Sequence, residues 1–160
     1  MTRNVTMAAA TAGHAEGGTT LNAFDNALLV AGIGNINLIK VSSILPPDVP
    51  VIELPKIKLG ALIPTAYAAM TSETPGETVA AAVGYAIPDD PAKNGVIMEF
   101  HGIATKAEAE RQIHLMLEEA FQVRGETIRE RGVVAAEHTV GSRPGCALAA
   151  ITLLGDEDLV

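Results

Sequence analysis

Apolar residues recur along most of this chain in short alternating runs, which is typical of β-strands. Helical spacing of apolar residues instead predicts two helices, at Leu21–Ala31 and Lys106–Arg124. Because most strands follow one another without an intervening helix, the order favours an α+β sandwich with helices covering the sheet faces. The alternating runs predict seven strands and one short edge strand, at residues 4–9, 35–45, 51–54, 61–71, 78–87, 96–103, 126–140 and 145–154.

Helix-capping residues and loops divide these elements. Thr20 and Gly32 are placed to begin and end the first helix, while Thr105 and Glu108 form a capping box for the second. Loops are predicted at residues 13–18 and 46–64, and the last six residues are predicted to be a solvated tail. No internal repeat or second domain is evident, so we expect residues 1–160 to form one domain.

Composition narrows the classes of function. The formal net charge of −8 lacks the basic surface that nucleic-acid binding requires, and it suits a cationic small molecule better. The apolar runs are shorter than the ~20 residues of a membrane span, so no membrane partner is expected. A single cysteine, Cys146, fits a reducing cytoplasmic location, and the scattered histidines predict no metal site.

Three candidate sites keep more than one interpretation on the residues alone. GIGNIN, at residues 32–37, departs from a dinucleotide-binding loop because Asn37 replaces the third glycine and a helix precedes it. Glu99 lies in the apolar run GVIMEFHG. It is either on the solvent face of an edge strand, which its residue type favours, or buried with a raised pKa and able to donate a proton. Asp25 borders the apolar stripe of the first helix, where a polar edge is ordinary.

Ser42 and Ser43 lie side by side in VSSILPP, where a strand should end. A turn of ordinary composition is one interpretation. The other is self-cleavage: the Ser43 hydroxyl attacks the Ser42 carbonyl and converts the amide to an ester. Loss of the Ser43 α-proton then releases the upstream chain as a carboxylate, and the remaining dehydroalanine hydrolyses to a pyruvoyl group and ammonia. This reaction needs hydrogen-bond donors at the developing oxyanion.

A series of motifs runs in order from about residue 17 to about residue 152, covering nearly the whole chain: LNAFDNALLVAGIGNINLIKVSSILPP, GALIPTAY, PGETVAAAV, AIP, GVIMEF, EHTV and GCALAA. The series resembles the pyruvoyl-dependent arginine decarboxylases of archaea and some bacteria. The resemblance implies a four-layer αββα sandwich with mostly antiparallel sheets, assembled as a trimer or a hexamer. It also implies self-cleavage into a β chain, residues 1–42, and an α chain, residues 43–160.

The same resemblance implies a role for each candidate residue. Ser43 becomes the covalent pyruvoyl cofactor, with neither a metal nor pyridoxal phosphate, and Glu99 donates the catalytic proton. Asn37 matches a residue implicated in self-processing, and Asp25 an acidic residue near the substrate guanidinium. Two pocket-lining positions match as well, Gly34 and Ile36, whereas Asn26 departs from an expected glycine.

The implied activity is decarboxylation of L-arginine to agmatine and CO2 through a Schiff base. Either polyamine synthesis or acid resistance would suit that chemistry. Two alternatives stay open: a pyruvoyl-dependent decarboxylase of another amino acid, such as histidine, or an unprocessed, non-catalytic oligomer that binds a small cation. The carboxylate of Asp25 favours arginine, because a guanidinium needs an acidic partner more than a neutral imidazole does.

Overall fold

In a computed structural model, which describes residues 3–160, two β-sheets pack face to face and each carries one helix on its outer face. The helices are α1 (Thr20–Val30) and α2 (Lys106–Arg124), and a 3-10 turn follows at Asp156–Asp158. Residues 3–160 contain nine strands: β1 (Met7–Glu16), β2 (Asn37–Lys40), β3 (Ile44–Leu45), β4 (Val51–Ile52), β5 (Leu62–Ser72), β6 (Thr78–Pro88), β7 (Gly95–Ile103), β8 (Ile128–Thr139) and β9 (Gly145–Leu154).

Long antiparallel pairs dominate both sheets. The first sheet has the order β2-β5-β9-β1-β4 and the second has the order β3-β7-β6-β8. The two parallel pairs, β1 with β4 and β2 with β5, lie at the edges of the first sheet. In the second sheet, Val83 of β6 is opposite Glu99 of β7 on one side and Val134 of β8 on the other.

Three apolar clusters define four layers. The largest lies between the sheets, and its members include Val83, Ile97 and Ile151. The second joins α2 to the outer face of β6 and β7, and the third joins α1 to the outer face of β9 and β5. The predicted α+β class and the αββα layer order are therefore confirmed. No helix within residues 3–160 is long and apolar enough to cross a membrane.

The first strand is longer than the sequence indicated. The predicted loop at residues 13–18 is wrong for its first four residues, because β1 continues to Glu16 and pairs with β9 throughout. Gly13 is a packing residue: a Cβ there would lie 2.7 Å from the Ala27 carbonyl oxygen of α1. The glycine in this strand thus lets α1 approach closely. Because small residues such as glycine are also typical of loops, composition alone predicts a loop here.

The helix caps and the chain end differ in part from the prediction. Thr19 rather than Thr20 caps α1, through its side chain and the amide of Asn22, whereas the Thr105–Glu108 capping box is confirmed. The prediction of a solvated tail is wrong. Asp158 is buried, pairs with Arg3, and accepts a hydrogen bond from the Gly155 amide.

A pair of histidines joins the two sheets, with Nδ1 of His14 on β1 and Nδ1 of His138 on β8 separated by 3.0 Å. One Nδ1 must donate this hydrogen bond and the other must accept it, so the bond is lost when both rings are fully protonated. Burial lowers the pKa of His138, the nearby His14 lowers it further, and Glu16 opposes the change.

A lowered pKa in the fold means that the unfolded chain binds more protons as the pH falls. The pair should therefore contribute its full stability above pH ~6.5, the ordinary histidine pKa, and lose it as the pH falls further. We expect the fall in melting temperature between pH 7.5 and 5.5 to be smaller in His138→Asn than in the parent protein. His114→Asn, on α2, is the control. Equal pH dependence in all three proteins would contradict the prediction.

Candidate active site

The Ser42–Ser43 bond lies where the chain crosses from one sheet to the other. The single strand predicted at residues 35–45 is wrong: β2 belongs to the first sheet and β3 to the second. On one side of the bond, the Val41 amide donates to the Thr65 carbonyl at 3.2 Å. On the other, the Ile97 amide donates to the Ser43 carbonyl at 2.7 Å. The two serines are thus held between fixed points in different sheets.

Glu99 lies on β7, two positions from Ile97, the residue that binds Ser43 at this crossover. Residues alternate along a strand, so Glu99 shares the face of β7 that Ile97 presents to the core between the sheets. Met98 and Phe100, on the opposite face, pack toward α2. Because two residues of a strand span about 6.6 Å, Glu99 is a short distance from the point where Ile97 binds Ser43.

Compared with water, the surroundings of Glu99 favour the protonated form of its carboxyl group. Burial raises the pKa of its carboxyl group, and the charges of Lys40 and then His101 oppose part of that rise. Its Oε2 atom is buried and accepts no hydrogen bond within residues 3–160. Of the two interpretations of Glu99, the structure supports the half-buried carboxyl group with a raised pKa.

The sequence analysis missed Lys40, a neighbour of Glu99, and Tyr67, which contacts Lys40. Nζ of Lys40, at the end of β2, lies 3.6 Å from Oε2 of Glu99 and 4.8 Å from the centre of the Tyr67 ring. Tyr67 in turn lies 6.4 Å from Phe24 of α1, measured between ring centres. The available signal was a lone lysine in one apolar strand and a lone glutamate in another, since opposite charges at such positions commonly pair.

Gly34 and Ile36 line a different cavity, of about 200 Å³, between the end of α1 and the segment before β5. Packing favours glycine at position 34, because a Cβ there would lie 2.8 Å from the backbone Cα of Leu29. Pro55, Lys56 and Leu59 contribute to the opposite wall. The cavity therefore has an apolar character with one cation, and neither Glu99 nor Ser43 lines it.

The two remaining candidates have no direct contact with Ser43 in the described part of the chain. The side-chain amide of Asn37 donates to the Gly60 carbonyl at 3.1 Å, at the far end of β2 from the serines. Asp25 is exposed on α1 and makes no hydrogen bond or ion pair within residues 3–160. In the described part of the chain, no three histidine, cysteine, aspartate or glutamate residues are grouped to hold a metal ion.

Comparison with known proteins identifies relatives of this chain. The family model described as pyruvoyl-dependent arginine decarboxylase matches residues 7–158. A protein of that name from Methanocaldococcus jannaschii is 50% identical over 142 residues, covering 89% of this chain and 86% of the relative. Another, from Thermococcus sibiricus, is 50% identical over 145 residues, covering 89% of this chain and 91% of the relative.

A solved structure shares the fold at much lower sequence similarity. It is that of a pyruvoyl-dependent histidine decarboxylase at pH 8, with a TM-score of 0.52 and 18% identity. The match covers 61% of this chain and 52% of the histidine decarboxylase chain. At this identity the similarity concerns the architecture of the sandwich and not the substrate.

Proposed function

Because the chain belongs to the pyruvoyl-dependent arginine decarboxylase family, we propose that it cuts itself between Ser42 and Ser43 and then converts L-arginine to agmatine and CO2. The observation that carries the proposal is a half-buried glutamate of raised pKa beside a Ser-Ser bond that is held between two sheets. This is the combination that a self-processing decarboxylase needs: a nucleophile next to a fixed carbonyl, and a proton donor near the same point.

Self-cleavage uses groups that the chain itself carries. The Ser43 hydroxyl attacks the Ser42 carbonyl carbon, and the amide nitrogen leaves it and takes up a proton. The α-proton of Ser43 is then removed, which expels the Ser42 carboxylate and leaves a dehydroalanine. Water replaces its nitrogen, which departs as ammonia. The hydrogen bond from Ile97 to the Ser43 carbonyl holds the downstream side during these changes.

The resulting group fits its surroundings, because it would form at residue 43, which is bound by Ile97, two positions from Glu99 on the same strand. The Oε2 atom of Glu99 is buried and accepts no hydrogen bond within residues 3–160. A pyruvoyl group supplies an electrophilic carbonyl that binds the substrate amine and withdraws electrons from the substrate Cα. Glu99, whose pKa is raised by burial, would in its protonated form donate its proton to that Cα after CO2 has left. The partly closed position between the sheets limits competition from water.

We further propose that the enzyme is a homo-oligomer, a trimer or a pair of trimers, with each site completed by a neighbouring copy. The support is that Asp25 and Asn37 have no link to Ser43 within one chain. Exposed apolar side chains also gather on α1, on β2 and around the start of β5: Leu29, Val30, Ile39, Leu59 and Leu62. Such a surface is typical of a protein–protein interface.

Asp25, supplied by the neighbouring copy, would bind the substrate guanidinium, while Gly34 and Ile36 would line its apolar stem. The net charge of −8 would also concentrate a cationic substrate near the enzyme. Cys146 is buried and unpaired within residues 3–160. Its free thiol supports a cytoplasmic location, and we propose polyamine synthesis or acid resistance as the physiological role.

Intact-mass spectrometry of the freshly purified protein, followed by an agmatine assay, tests the proposal. We expect two chains, residues 1–42 and 43–160, with Ser43 replaced by a pyruvoyl group. We expect agmatine from L-arginine at a higher rate than the corresponding amines from L-histidine or L-lysine. A single intact chain without activity would favour a non-catalytic oligomer, and faster turnover of histidine would favour the other decarboxylase.

Asp25→Asn should weaken the use of arginine without affecting self-cleavage. A hydrogen bond to a charged group contributes about 1.5–3 kcal/mol, which corresponds to a loss of roughly ten- to hundredfold in kcat/KM. The loss should appear mainly in KM, because the guanidinium is remote from the reacting carbon. Asp89→Asn, in the exposed turn after β6, is the control. An unchanged KM in Asp25→Asn would remove Asp25 from substrate binding.

A further inference from the structure

The ammonium group of Lys40 is the closest cation to the carboxyl group of Glu99, at 3.6 Å. The two residues belong to different sheets, since Lys40 ends β2 in the first and Glu99 lies on β7 in the second. Their contact therefore links the two sheets next to the Ser42–Ser43 bond. Lys40 precedes Ser42 by only two positions, so the cation and the cleavage site are carried by the same short segment.

Lys40 is held from two directions. Its backbone is fixed by parallel pairing with Thr65 of β5, and its Nζ lies 4.8 Å from the centre of the Tyr67 ring. A cation over an aromatic face is attracted by the ring electrons. The ammonium group thus contacts both the Tyr67 ring and the Glu99 carboxyl group, even though much of the lysine side chain is accessible to water.

Few other charges act on Glu99. His101, two residues further along β7 on the same face, has a smaller influence than Lys40. The neighbouring strand β6 contributes the uncharged Val83 opposite Glu99. In the first sheet, the ring of Tyr67 lies against Lys40. Because Lys40 influences Glu99 more than His101 does, removal of Lys40 is the larger change of charge near Glu99.

We propose that Lys40 is a positioning residue for Glu99: its ammonium group, held against the Tyr67 ring, directs the carboxyl group toward residue 43. The inference rests on the proposed function for its catalytic meaning, but its physical content concerns only the Lys40–Glu99 contact. Without Lys40, burial would act on Glu99 with little opposition, and the carboxyl group would keep its proton to a higher pH and lose its orientation.

A titration of Glu99 tests the contact without any enzymatic activity. The side-chain carboxyl carbon of Glu99 is followed by 13C NMR in the uncleaved Ser43→Ala protein, with and without Lys40→Met. We expect the Glu99 midpoint to move to higher pH in the double variant, and Lys40→Arg to restore the parent midpoint. Lys106→Met is the matched control, because Lys106 is 53% exposed against 57% for Lys40 and also has a glutamate partner. Coincident midpoints with and without Lys40→Met would overturn the proposal.

The kinetic counterpart separates positioning from binding. In the processed enzyme, Lys40→Met should lower kcat and move the alkaline limb of its pH profile to higher pH, while the KM for arginine changes little. Lys40→Arg should recover most of both effects, which a general loss of folding would not allow. An unmoved alkaline limb would also overturn the proposal. If the Glu99 midpoint moves but the parent enzyme forms no agmatine, the contact stands and the proposed function fails.

Discussion

Replacing Ser43 with alanine should leave a single uncut chain of 160 residues that forms no agmatine. Alanine has neither the hydroxyl group that attacks the Ser42 carbonyl nor the oxygen that leaves in the elimination step. The hydrogen bond from Ile97 uses the backbone carbonyl of residue 43, so the crossover should keep its geometry. We therefore expect loss of chemistry without loss of fold, measured by intact mass, melting temperature and an agmatine assay.

Ser42→Ala is the matched control, because it removes an adjacent hydroxyl group from the same crossover. Ser42 contributes only its carbonyl carbon to the proposed reaction, so this variant should still cut and should still decarboxylate arginine. The two serines thus have different predicted fates although they are neighbours of the same type. Cleavage at this bond in Ser43→Ala, or its complete loss in Ser42→Ala alone, would contradict the assigned attack.

The two chains should remain together after the cut. Residues 1–42 supply β1, α1 and β2 to the first sheet. β1 pairs with β9 at ten successive positions, and α1 packs on the outer face of the same sheet. Arg3, before the cut, also pairs with the buried Asp158 near the end of the chain. Cleavage therefore changes the covalent connection at one crossover and leaves the sandwich in place.

Much of the fold could be read from the sequence because its long elements have clear periodicity. The two helices and the strands that became β5 to β9 are close to their predicted bounds. The chain from residue 35 to residue 45 shows the limit: its apolar alternation continues through Val41, but the strand ends at Lys40 and a new one begins in the other sheet. Alternation describes which residues are apolar, and it carries no information about which sheet a strand joins.

The same limit applies to the candidate site. Glu99 drew attention as a carboxylate in an apolar strand, yet strand composition could not decide whether its face meets solvent or the other sheet. Lys40 was overlooked because its contact with Glu99 depends on the packing of two sheets, and Tyr67 because its contact with Lys40 depends on the pairing of β2 with β5. No contact within residues 3–160 tests the roles of Asp25 and Asn37, and they stay predictions for that reason.

Replacing Glu99 with glutamine should leave self-cleavage intact and slow decarboxylation strongly. Glutamine has nearly the same shape but no acidic proton, so the step that protonates the substrate Cα loses its donor. General acid catalysis by a positioned side chain typically contributes about 10²- to 10⁴-fold, and we expect kcat to fall within that range. The KM for arginine should change less, since Asp25 and the pocket residues are unaltered.

The Glu99→Gln variant is first checked by intact mass, because a failure to cut would also abolish activity and would place Glu99 in processing instead. Glu73→Gln, at an exposed turn after β5, controls for the loss of one negative charge.

The raised pKa of Glu99 adds a second expectation: kcat of the parent enzyme should decline as pH rises through that pKa, because the donor is then ionised. Glu99→Gln should lack this decline in its residual activity. A processed Glu99→Gln enzyme with full turnover would exclude Glu99 as the acid, and the proton would then have to come from another group or from water.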